Sequence, residues 1–332
     1  MLDQRDLIEM LKLRGNEQEQ LFEQARKARE SVFGNRVVVR GVTEIGNACR
    51  VNCEFCPMRR ENTRMNDRFL AESDDLVEAA QSIKESGINV VFFQAGEVPQ
   101  TTKMVGEAIP RIRALYSDDV EILLNLGNKT RSELEYLREQ GADSYILKHE
   151  TSDPELNARM RHESLVSRLK CMSDLVELGF KVGTGGIVGL PGDSLESIAN
   201  DIMLAYEMGA HMCSFSPFVP APNTPMSHVP PGDVDTTLNA IAATRLFNPE
   251  WLVPSVSALA KNKEGGQRRG FEAGANVLTI NFTGERNSER YLIYGKNRFV
   301  VRRDYGTRLL DDLGLKAGPS VFVGSQALPV FR

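Results

Sequence analysis

Long hydrophobic runs are missing from this chain of 332 residues. No apolar stretch reaches the roughly 18 residues that a membrane-spanning helix requires. The first twenty residues mix charged and apolar side chains at helical spacing, which is unlike the apolar centre of a signal peptide. The sequence therefore predicts a cytoplasmic protein that does not enter a membrane.

An excess of positive charge is missing too. The chain has 40 Lys and Arg residues against 45 Asp and Glu residues, a formal net charge of −5. The basic residues form no stripe, so we do not expect a nucleic-acid-binding surface. The 27 glycines and 15 prolines follow no repeat, which excludes collagen-like and low-complexity proteins. This composition favours a small molecule as the partner.

Cysteines are few and unevenly distributed. Five cysteines in a chain of this length cannot form a disulfide framework. Cys171 and Cys213 stand alone, and we interpret them as small buried apolar residues. Cys49, Cys53 and Cys56 fall within eight residues, in a C-x3-C-x2-C run. This run is the strongest functional signal in the sequence.

Apolar, β-branched segments alternate with amphipathic segments of helical period along most of the chain. Two helices come first, at 3–14 and 17–32. Eight strands are predicted after them, at 37–45, 88–96, 120–127, 143–149, 180–189, 211–219, 252–258 and 275–282. Further helices are predicted between and after the strands, at 73–86, 102–116, 131–140, 164–178, 195–208, 234–247, 266–273 and 304–314.

Strands that alternate with helices pair in parallel, and eight such units close into a barrel. The predicted fold is α/β, a single (βα)8 TIM-type barrel with an N-terminal helical extension. We expect a helical cover at 1–35, the barrel at 36–320 and a tail at 321–332. The Pro-rich stretch 217–233 is predicted to be a loop at the C-terminal mouth, where such barrels place their chemistry.

The three-cysteine run directly follows the first predicted strand. Thiolates are the preferred protein ligands of iron–sulfur clusters, and three of them would leave one iron of a four-iron cluster without a protein ligand. A structural zinc site is the alternative, but it needs four ligands. The four histidines show no His-x3–5-His spacing that could complete one. An incidental group of thiols is the third interpretation.

The run also has an aromatic residue, Phe55, immediately before its third cysteine. The resulting C-x3-C-x-aromatic-C pattern resembles the signature of the radical S-adenosylmethionine (SAM) superfamily. The resemblance implies that Cys49, Cys53 and Cys56 hold a [4Fe–4S] cluster whose fourth iron binds SAM through its amino and carboxylate groups. It further implies reductive cleavage of SAM to methionine and a 5′-deoxyadenosyl radical, with the electron coming from a reductant such as flavodoxin or ferredoxin.

The same resemblance implies roles for polar residues at the ends of the predicted strands. The Gly96–Glu97 pair would lie near the SAM ammonium group, and Arg168 would pair with the SAM carboxylate. Glu150 would reach the ribose or the ammonium group, and Asn125 lies at the same mouth. Ile187 and Val188, in a glycine-rich strand, would contact the adenine. The implied SAM-binding residues are therefore Gly96, Glu97, Asn125, Glu150, Arg168, Ile187 and Val188.

Motifs farther along the chain narrow the resemblance to the biotin synthase-like group and, within it, to the HydE maturases of [FeFe]-hydrogenase. These motifs are Arg59-Arg60-Glu61-Asn62, His149-Glu150-Thr151, Gly189-Leu190-Pro191-Gly192, the segment 217–225 and Gly274-Ala275-Asn276-Val277. HydE-type barrels bind a small anionic iron complex in a lower cavity. The residues implied to grip such a substrate here are Arg59, Arg60, Ser255, Ser257 and Arg268.

Other functions stay open at this point. Related proteins of the same group include the HmdB protein of [Fe]-hydrogenase cofactor assembly and methylornithine synthase. Sulfur insertion in the manner of biotin synthase is not expected, because the predicted strands VVFFQAG and ILLNLGN carry no thiol for a second cluster. A non-catalytic iron–sulfur scaffold is the alternative from a different class.

Overall fold

The alternating strand and helix pattern closes into a barrel in the computed structural model, which describes residues 2–63, 67–295 and 298–324. The strands in these ranges are β1 (Arg36–Gly46), β2 (Val90–Ala95), β3 (Glu121–Asn125), β4 (Ser144–Ile146), β5 (Lys181–Thr184), β6 (Ile187–Val188), β7 (Met212–Cys213), β8 (Ser216–Pro217), β9 (Val277–Asn281) and β10 (Lys316–Gly318).

Helices surround the strands in the same ranges. They are α1 (Gln4–Lys12), α2 (Gly15–Phe33), α3 (Ser73–Glu85), α4 (Gln100–Tyr116), α5 (Arg131–Glu139), α6 (Pro154–Arg161), α7 (Leu165–Glu177), α8 (Leu195–Glu207), α9 (Val234–Phe247), α10 (Ser257–Asn262), α11 (Gly266–Glu272), α12 (Glu285–Arg290) and α13 (Arg303–Asp312).

The barrel strands are parallel throughout. The main sheet runs in the order β10-β1-β2-β3-β4-β5-β7. In addition, β9 pairs with β1, and the paired residues run from Val38↔Val277 to Val42↔Asn281. Two parallel bridges, Met212↔Leu252 and Pro254↔Val277, connect β7 to β9 through residues 252–254. These residues take the seventh place in the ring, and the predicted α/β barrel is confirmed. The predicted strand 252–258 was too long, because α10 begins at Ser257.

Two predicted strands are each divided in the structure. The segment 180–189 becomes β5 and β6, and the segment 211–219 becomes β7 and β8. Both strands are interrupted where Gly185 lies against Ser214. Gly185 has a φ of +139°, which only glycine adopts easily, and a Cβ atom there would overlap the carbonyl oxygen of Ser214. As a result β6 and β8 leave the barrel wall and form a separate two-stranded sheet at its mouth.

Several elements were not predicted from the sequence. They are α6, α10, α12 and β10, and each has ten residues or fewer. α6 begins at a clear cap, because the Asp153 side chain accepts hydrogen bonds from the backbone N–H groups of Glu155 and Leu156. Pro154 follows at the first helical position, which suits its fixed φ.

Apolar side chains close the N-terminal end of the barrel. Phe33, Val38, Phe92 and Val277 pack there with Val321, which follows β10. Residues 320 and 321 therefore complete the floor of the barrel. Because the floor is closed, the interior of the barrel faces the C-terminal mouth.

The two N-terminal helices pack on the outside of the barrel, against α8 and α9. Leu7, Leu11 and Phe22 are fully buried there, and the Gln18 side-chain amide donates to Asn239 Oδ1 at 2.8 Å. No helix in the described part of the chain is long and apolar enough to cross a membrane.

Candidate active site at the mouth of the barrel

The loop that carries the three cysteines leaves β1 at Gly46 and is anchored at once. Asn47 is fully buried. Its amide nitrogen donates to the carbonyl oxygens of Asp67 and Arg290, both at 2.9 Å, and its Oδ1 accepts from the backbone N–H of Phe69 at 2.8 Å. Since every polar atom of this side chain has a partner, the start of the loop has one defined path.

The three thiols lie together in a poorly solvated environment. Cys53 is buried, and Cys49 and Cys56 are partly buried. Burial raises the pKa of all three thiols, to about 11 at Cys53, and the neighbouring Cys53 and Cys49 raise that of Cys56 further. Binding of metal cations would reverse this shift, because a coordinated thiol is deprotonated. Among the described residues, no three His, Cys, Asp or Glu side chains are grouped so that they could hold a single metal ion.

Gly96 follows β2 and lies directly against the cysteine loop. Its N–H donates to the carbonyl oxygen of Gly46 at 3.2 Å. A Cβ atom at this position would overlap the Ala48 carbonyl oxygen and would lie 3.0 Å from the Cβ of Cys49. Only glycine therefore allows the loop to pack against the end of β2.

Glu97 is buried, and its groups contact the loop and two neighbouring elements. Its backbone N–H donates to Cys49 Sγ at 3.4 Å. Its carboxylate accepts hydrogen bonds from Arg50 and, at 2.6 Å, from the backbone N–H of Asn128. Arg168 Nη1 lies 3.7 Å from the same carboxylate. Glu97 thus connects the cysteine loop to the loop after β3 and to α7.

Arg161, the last residue of α6, is a buried cation beside the loop that sequence reasoning missed. Its guanidinium donates to Glu163 at 3.2 Å, and Glu163 also accepts from Arg50 at 3.1 Å. The positive charge of Arg161 lowers the pKa of Cys53, which opposes the effect of burial. In the sequence this residue belongs to the polar stretch NARMRHES, which is typical of an exposed helix end, so no signal distinguished it.

Arg168 lies in the first turn of α7 and is buried. Its Nε donates to the carbonyl oxygen of Lys148 at 2.8 Å, and its Nη1 donates to Asn128 Oδ1 at 2.9 Å. Burial lowers the pKa of this guanidinium, and the nearby charge of Arg161 lowers it further. Two buried arginines close together favour an additional negative charge between them.

Glu150 follows β4 in a left-handed backbone conformation, with φ of +72°. Its N–H donates to Gly185 O at 3.0 Å, and its carbonyl oxygen accepts from Ile187 N–H at 2.8 Å. Within the described residues, its buried Oε2 atom has no hydrogen-bond partner, although Lys148 Nζ lies 3.4 Å away. Backbone strain and an incompletely bonded buried carboxylate are both features of ligand sites.

One cavity of about 280 Å³ connects these residues with the interior of the barrel. It extends from Arg40 and Phe92 inside the barrel to Cys56 and Glu150 at the mouth. The sequence-predicted residues that line it are Asn125, Glu150, Arg168, Ile187, Ser255 and Ser257. Gly96 and Glu97 lie behind the cysteine loop, and Val188 packs in the core beside Ile187.

The five residues predicted to grip a substrate do not come together. Ser255 and Ser257 line the cavity, but the Ser255 hydroxyl already donates to Gln267 O at 2.6 Å. Arg59 donates to Asn52 Oδ1 and to Glu61, away from the cavity lining. Arg60 is 65% exposed beside the loop, and Arg268 pairs with Asp312 on the outer surface at 2.8 Å. The structure brings neither Arg60 nor Arg268 to the cavity.

Arg40, in the middle of β1, is a second missed cation. It is buried inside the barrel and donates to Thr279 Oγ1 at 2.7 Å, with its guanidinium 5.2 Å from the centre of the Phe92 ring. Burial lowers its pKa to about 10. The nearby carboxylate of Glu121 is bound by the hydroxyls of Ser144 and Ser320. A single arginine within the apolar run VVVRGV was the available signal.

A segment that we call the mouth strap, residues 291–295 and 298–301, crosses the opening. Arg298 Nη2 donates to Glu44 Oε2 at 2.6 Å and to Ser288 O at 3.1 Å. Gln94 Nε2 donates to the Tyr291 hydroxyl at 2.9 Å. Tyr294, with φ of +63°, lines the cavity. These contacts hold the strap on the barrel, and sequence reasoning did not find it.

The donor set fits an iron–sulfur cluster with an open iron. Three thiols lie on one anchored loop, and the backbone contact at Gly96 leaves no room for a Cβ atom. An incompletely bonded carboxylate and two buried arginines lie beside the loop. A parallel barrel with this set at its mouth defines a radical SAM enzyme. The model of the radical SAM superfamily matches residues 43–205, and the chain belongs to this superfamily. It therefore uses a [4Fe–4S] cluster and SAM.

Known proteins resemble the chain along most of its length. The [FeFe] hydrogenase maturase subunit HydE of Thermotoga maritima is 31% identical over 90% of this chain and 87% of its own length. The 3-methylornithine synthase of Methanosarcina acetivorans is 24% identical over 96% of this chain and 91% of its own. A crystal structure of methylornithine synthase superposes with a TM-score of 0.82 at 25% identity, covering 96% and 94% of the two chains. Family membership favours the enzyme over the zinc-site and scaffold alternatives.

Proposed function

We propose that this enzyme cleaves SAM reductively and directs the 5′-deoxyadenosyl radical at a small anionic substrate in metallocofactor biosynthesis, as a HydE-like hydrogenase maturase. One observation carries the proposal: a single cavity joins the cysteine loop and Glu150 at the mouth to the buried cation of Arg40 inside the barrel. The 31% identity to a HydE protein over most of both chains supports hydrogenase maturation as the pathway.

Cys49, Cys53 and Cys56 would each bind one iron of the cluster and leave the fourth iron to SAM. When bound, the cluster supplies the electron that splits SAM into methionine and the 5′-deoxyadenosyl radical. The protein holds the loop in place through Asn47 and through the contact at Gly96. Burial of the thiols keeps water from the metal, and the cofactor supplies the difficult chemistry.

Binding and orientation of SAM fall to charged groups around the loop and apolar groups at β6. Glu97 would accept from the ammonium group, and Arg168 would pair with the carboxylate. Glu150 would direct its carboxylate toward the nucleoside. The remaining proposed contacts are Asn125 for the ribose, the backbone of Gly96, and Ile187 for the adenine, whereas Val188 packs in the core and is left out.

The substrate end of the cavity is defined by Arg40. A guanidinium inside a barrel is costly to desolvate unless negative charge or hydrogen bonds compensate it. Its hydrogen bonds go to Thr279 Oγ1 at 2.7 Å and to Met212 Sδ at 3.9 Å, which are both uncharged. The Glu121 carboxylate acts on it through space, but its oxygens are bound by Ser144 and Ser320. An anionic group on the substrate would complete the site. Lys148, which is half-buried in the cavity wall, provides a second cation.

Of the predicted substrate residues, Ser255 and Ser257 stay in this proposal as cavity wall. Arg59, Arg60 and Arg268 are left out of it, because their side chains lie away from the cavity lining. Arg40 takes the place that the resemblance assigned to them. Arg40→Met should therefore weaken binding of an anionic substrate without changing SAM cleavage in its absence.

The proposal is tested by anaerobic reconstitution with iron and sulfide, followed by addition of dithionite and SAM. The expected product is 5′-deoxyadenosine, and Cys53→Ala should abolish it. Cys171→Ala is the matched control, since Cys171 is a buried thiol of the core. A colourless protein that binds zinc, or a Cys53→Ala variant with full activity, would contradict the proposal.

An amino-acid or [Fe]-hydrogenase cofactor pathway is the second candidate. The whole-chain superposition on methylornithine synthase, with a TM-score of 0.82, favours it. Genes for [FeFe]-hydrogenase maturation beside this gene would support the first candidate. Genes for pyrrolysine synthesis or for [Fe]-hydrogenase would support the methylornithine synthase-like or the HmdB-like alternative.

We also propose flavodoxin or ferredoxin as the reductant. Arg50 and Arg60 are 51% and 65% exposed beside the cysteine loop, each in an ion pair with a glutamate, and a charged partner could contact them at this edge of the mouth. The test is formation of 5′-deoxyadenosine with each reduced carrier in place of dithionite. Loss of the reaction at high salt would support a charge-guided contact, and an equal rate at all salt concentrations would oppose it.

A further inference from the structure

A buried polar group lies behind the glycine-rich turn 183–186, and the mechanism proposed above does not use it. It consists of His149, Thr184, Asp201 and Asn157, which are each at most 1% exposed. We call it the His149 network. A buried imidazole beside a buried carboxylate is costly to desolvate, so its presence requires an explanation.

The imidazole of His149 is hydrogen-bonded on one side and faces a carboxylate on the other, where Nε2 makes no hydrogen bond among the described residues. Its Nδ1 shares a hydrogen bond of 2.8 Å with Thr184 Oγ1, at the end of β5. Its Nε2 lies 3.3 Å from Asp201 Oδ1, which comes from α8. The same carboxylate oxygen accepts from the backbone N–H of Ser152 at 2.6 Å. The imidazole therefore lies between a barrel strand and the helix outside it.

The network surrounds the backbone of Glu150. Asn157 Nδ2 donates to the carbonyl oxygens of His149, at 2.6 Å, and of Thr151, at 3.2 Å. The residues on both sides of Glu150 are therefore fixed by buried side chains. Between them Glu150 keeps its φ of +72°. A non-glycine residue holds this conformation only where its surroundings impose it.

We infer that His149 and Asp201 are positioning residues that hold Glu150 in its left-handed conformation and so direct its carboxylate into the SAM site. This inference rests on the proposed function, in which Glu150 contacts SAM. It predicts that two residues outside the cavity lining affect the SAM affinity indirectly. Neither residue touches the cofactor, so both act through Glu150.

The experiment measures the dissociation constant of SAM by equilibrium dialysis with the reconstituted, oxidised enzyme, and the iron content of each variant. His149→Phe and Asp201→Ala should each raise the constant about tenfold or more at unchanged iron content. Asp201→Asn keeps an oxygen that can accept from the backbone N–H of Ser152. Its affinity for SAM should therefore lie closer to that of the unmodified enzyme than to that of Asp201→Ala. In steady-state assays the KM for SAM should rise more than kcat falls.

A matched control is Glu121→Ala, which removes a buried carboxylate near the barrel floor that is bound by Ser144 and Ser320. It should lower stability and leave the affinity for SAM unchanged. In the double variant Glu150→Ala/Asp201→Ala the second change should add nothing to the first, since both act on the same carboxylate.

The outcomes separate the two hypotheses. If Glu150→Ala leaves the affinity unchanged, the proposed contact between Glu150 and SAM is wrong, and the inference falls with it. If Glu150→Ala weakens binding but His149→Phe and Asp201→Ala do not, the inference alone is overturned. Full additivity in the double variant would also overturn it. If His149→Phe fails to fold, Asp201→Ala alone decides between these outcomes.

Discussion

Gly96 is the residue at which the cysteine loop and the barrel come closest. Gly96→Ala would force the Cβ atom into the Ala48 carbonyl oxygen and move the loop away from β2. We expect at least half of the cluster iron to be lost after reconstitution, because ligand loops tolerate little displacement. Iron content per chain is the measurement.

The control for this variant is Gly284→Ala. Gly284 has no atom within 4 Å of a built Cβ position and does not need a positive φ. Its iron content should match that of the unmodified enzyme. If Gly96→Ala has the same iron content as the unmodified enzyme, the loop adapts to the added Cβ atom. This result would contradict the argument that only glycine fits at this position.

Arg161 should affect the reduction potential of the cluster. Its buried guanidinium lowers the pKa of Cys53, so its charge acts at the ligand sulfurs. Replacing it by glutamine removes positive charge and makes the added electron less favourable. We expect Arg161→Gln to lower the midpoint potential on the order of 50 mV.

An anaerobic redox titration followed by electron paramagnetic resonance gives this potential. Arg159→Gln is the control, since Arg159 lies in the same helix but is exposed and donates to Pro191 O. An equal shift in both variants, or none in Arg161→Gln, would refute the assignment of Arg161.

The sequence was most informative where residue type and spacing were both specific. The three cysteines were found in this way, whereas Glu97 and Arg168 came from the family resemblance, and the structure places all five around one loop. Arg40 and Arg161 were missed because an isolated arginine carries no spacing signal. Whether it faces solvent or the barrel interior depends on closure of the sheet, which sequence periodicity does not specify.

At the scale of elements, periodicity predicted the long helices and the barrel strands but not their interruptions. The predicted strands at 180–189 and 211–219 were too long, because the backbone contact between Gly185 and Ser214 is a tertiary feature. The helices α6, α10 and α12 were too short for a periodic signal. Two of these elements matter for the site, since α6 ends in Arg161 and β6 carries Ile187.

The mouth strap depends on one buried ion pair. The side chains of Arg298 and Glu44 are 8% and 3% exposed, and burial raises the pKa of Glu44 against the effect of Arg298. Arg298→Met would leave the carboxylate buried without its cation. We expect the free energy of unfolding to fall by about 3 kcal/mol in urea titrations of the apoprotein.

A second change should rescue this loss. The double variant Glu44→Gln/Arg298→Met removes both charges and should recover most of the stability, because the cost arises from the unpaired charge. If the double variant is no more stable than Arg298→Met, the ion pair is not what holds the strap.

At the scale of the whole molecule, the closed floor makes stability depend on pH through His211. Its imidazole lies 5.9 Å from the Phe322 ring near the floor, and burial, with a smaller effect of Lys181, lowers its pKa from 6.5 to about 4. Between pH 6.5 and about pH 4, His211 is protonated in the unfolded chain but not in the folded chain. This contribution to stability is present above pH 6.5 and is lost as the pH falls toward 4.

His211→Gln removes this dependence. Relative to the unmodified apoprotein, the variant should therefore gain stability between pH 7.5 and pH 5, as measured by urea unfolding. His228→Gln, at an exposed position, serves as the control. The burial argument would be contradicted if the two proteins differed in stability by the same amount at pH 7.5 and at pH 5.

The barrel joins a cofactor site at its mouth to a cationic site in its interior. The proposed chemistry depends on SAM binding directly to iron. Electron–nuclear double resonance of the reduced enzyme with SAM labelled by 15N at the amino group and 17O at the carboxylate tests this most directly. The account predicts hyperfine coupling of both labels to the cluster, and its loss in Cys53→Ala. A cluster signal that SAM does not perturb, with neither label coupled, would contradict it.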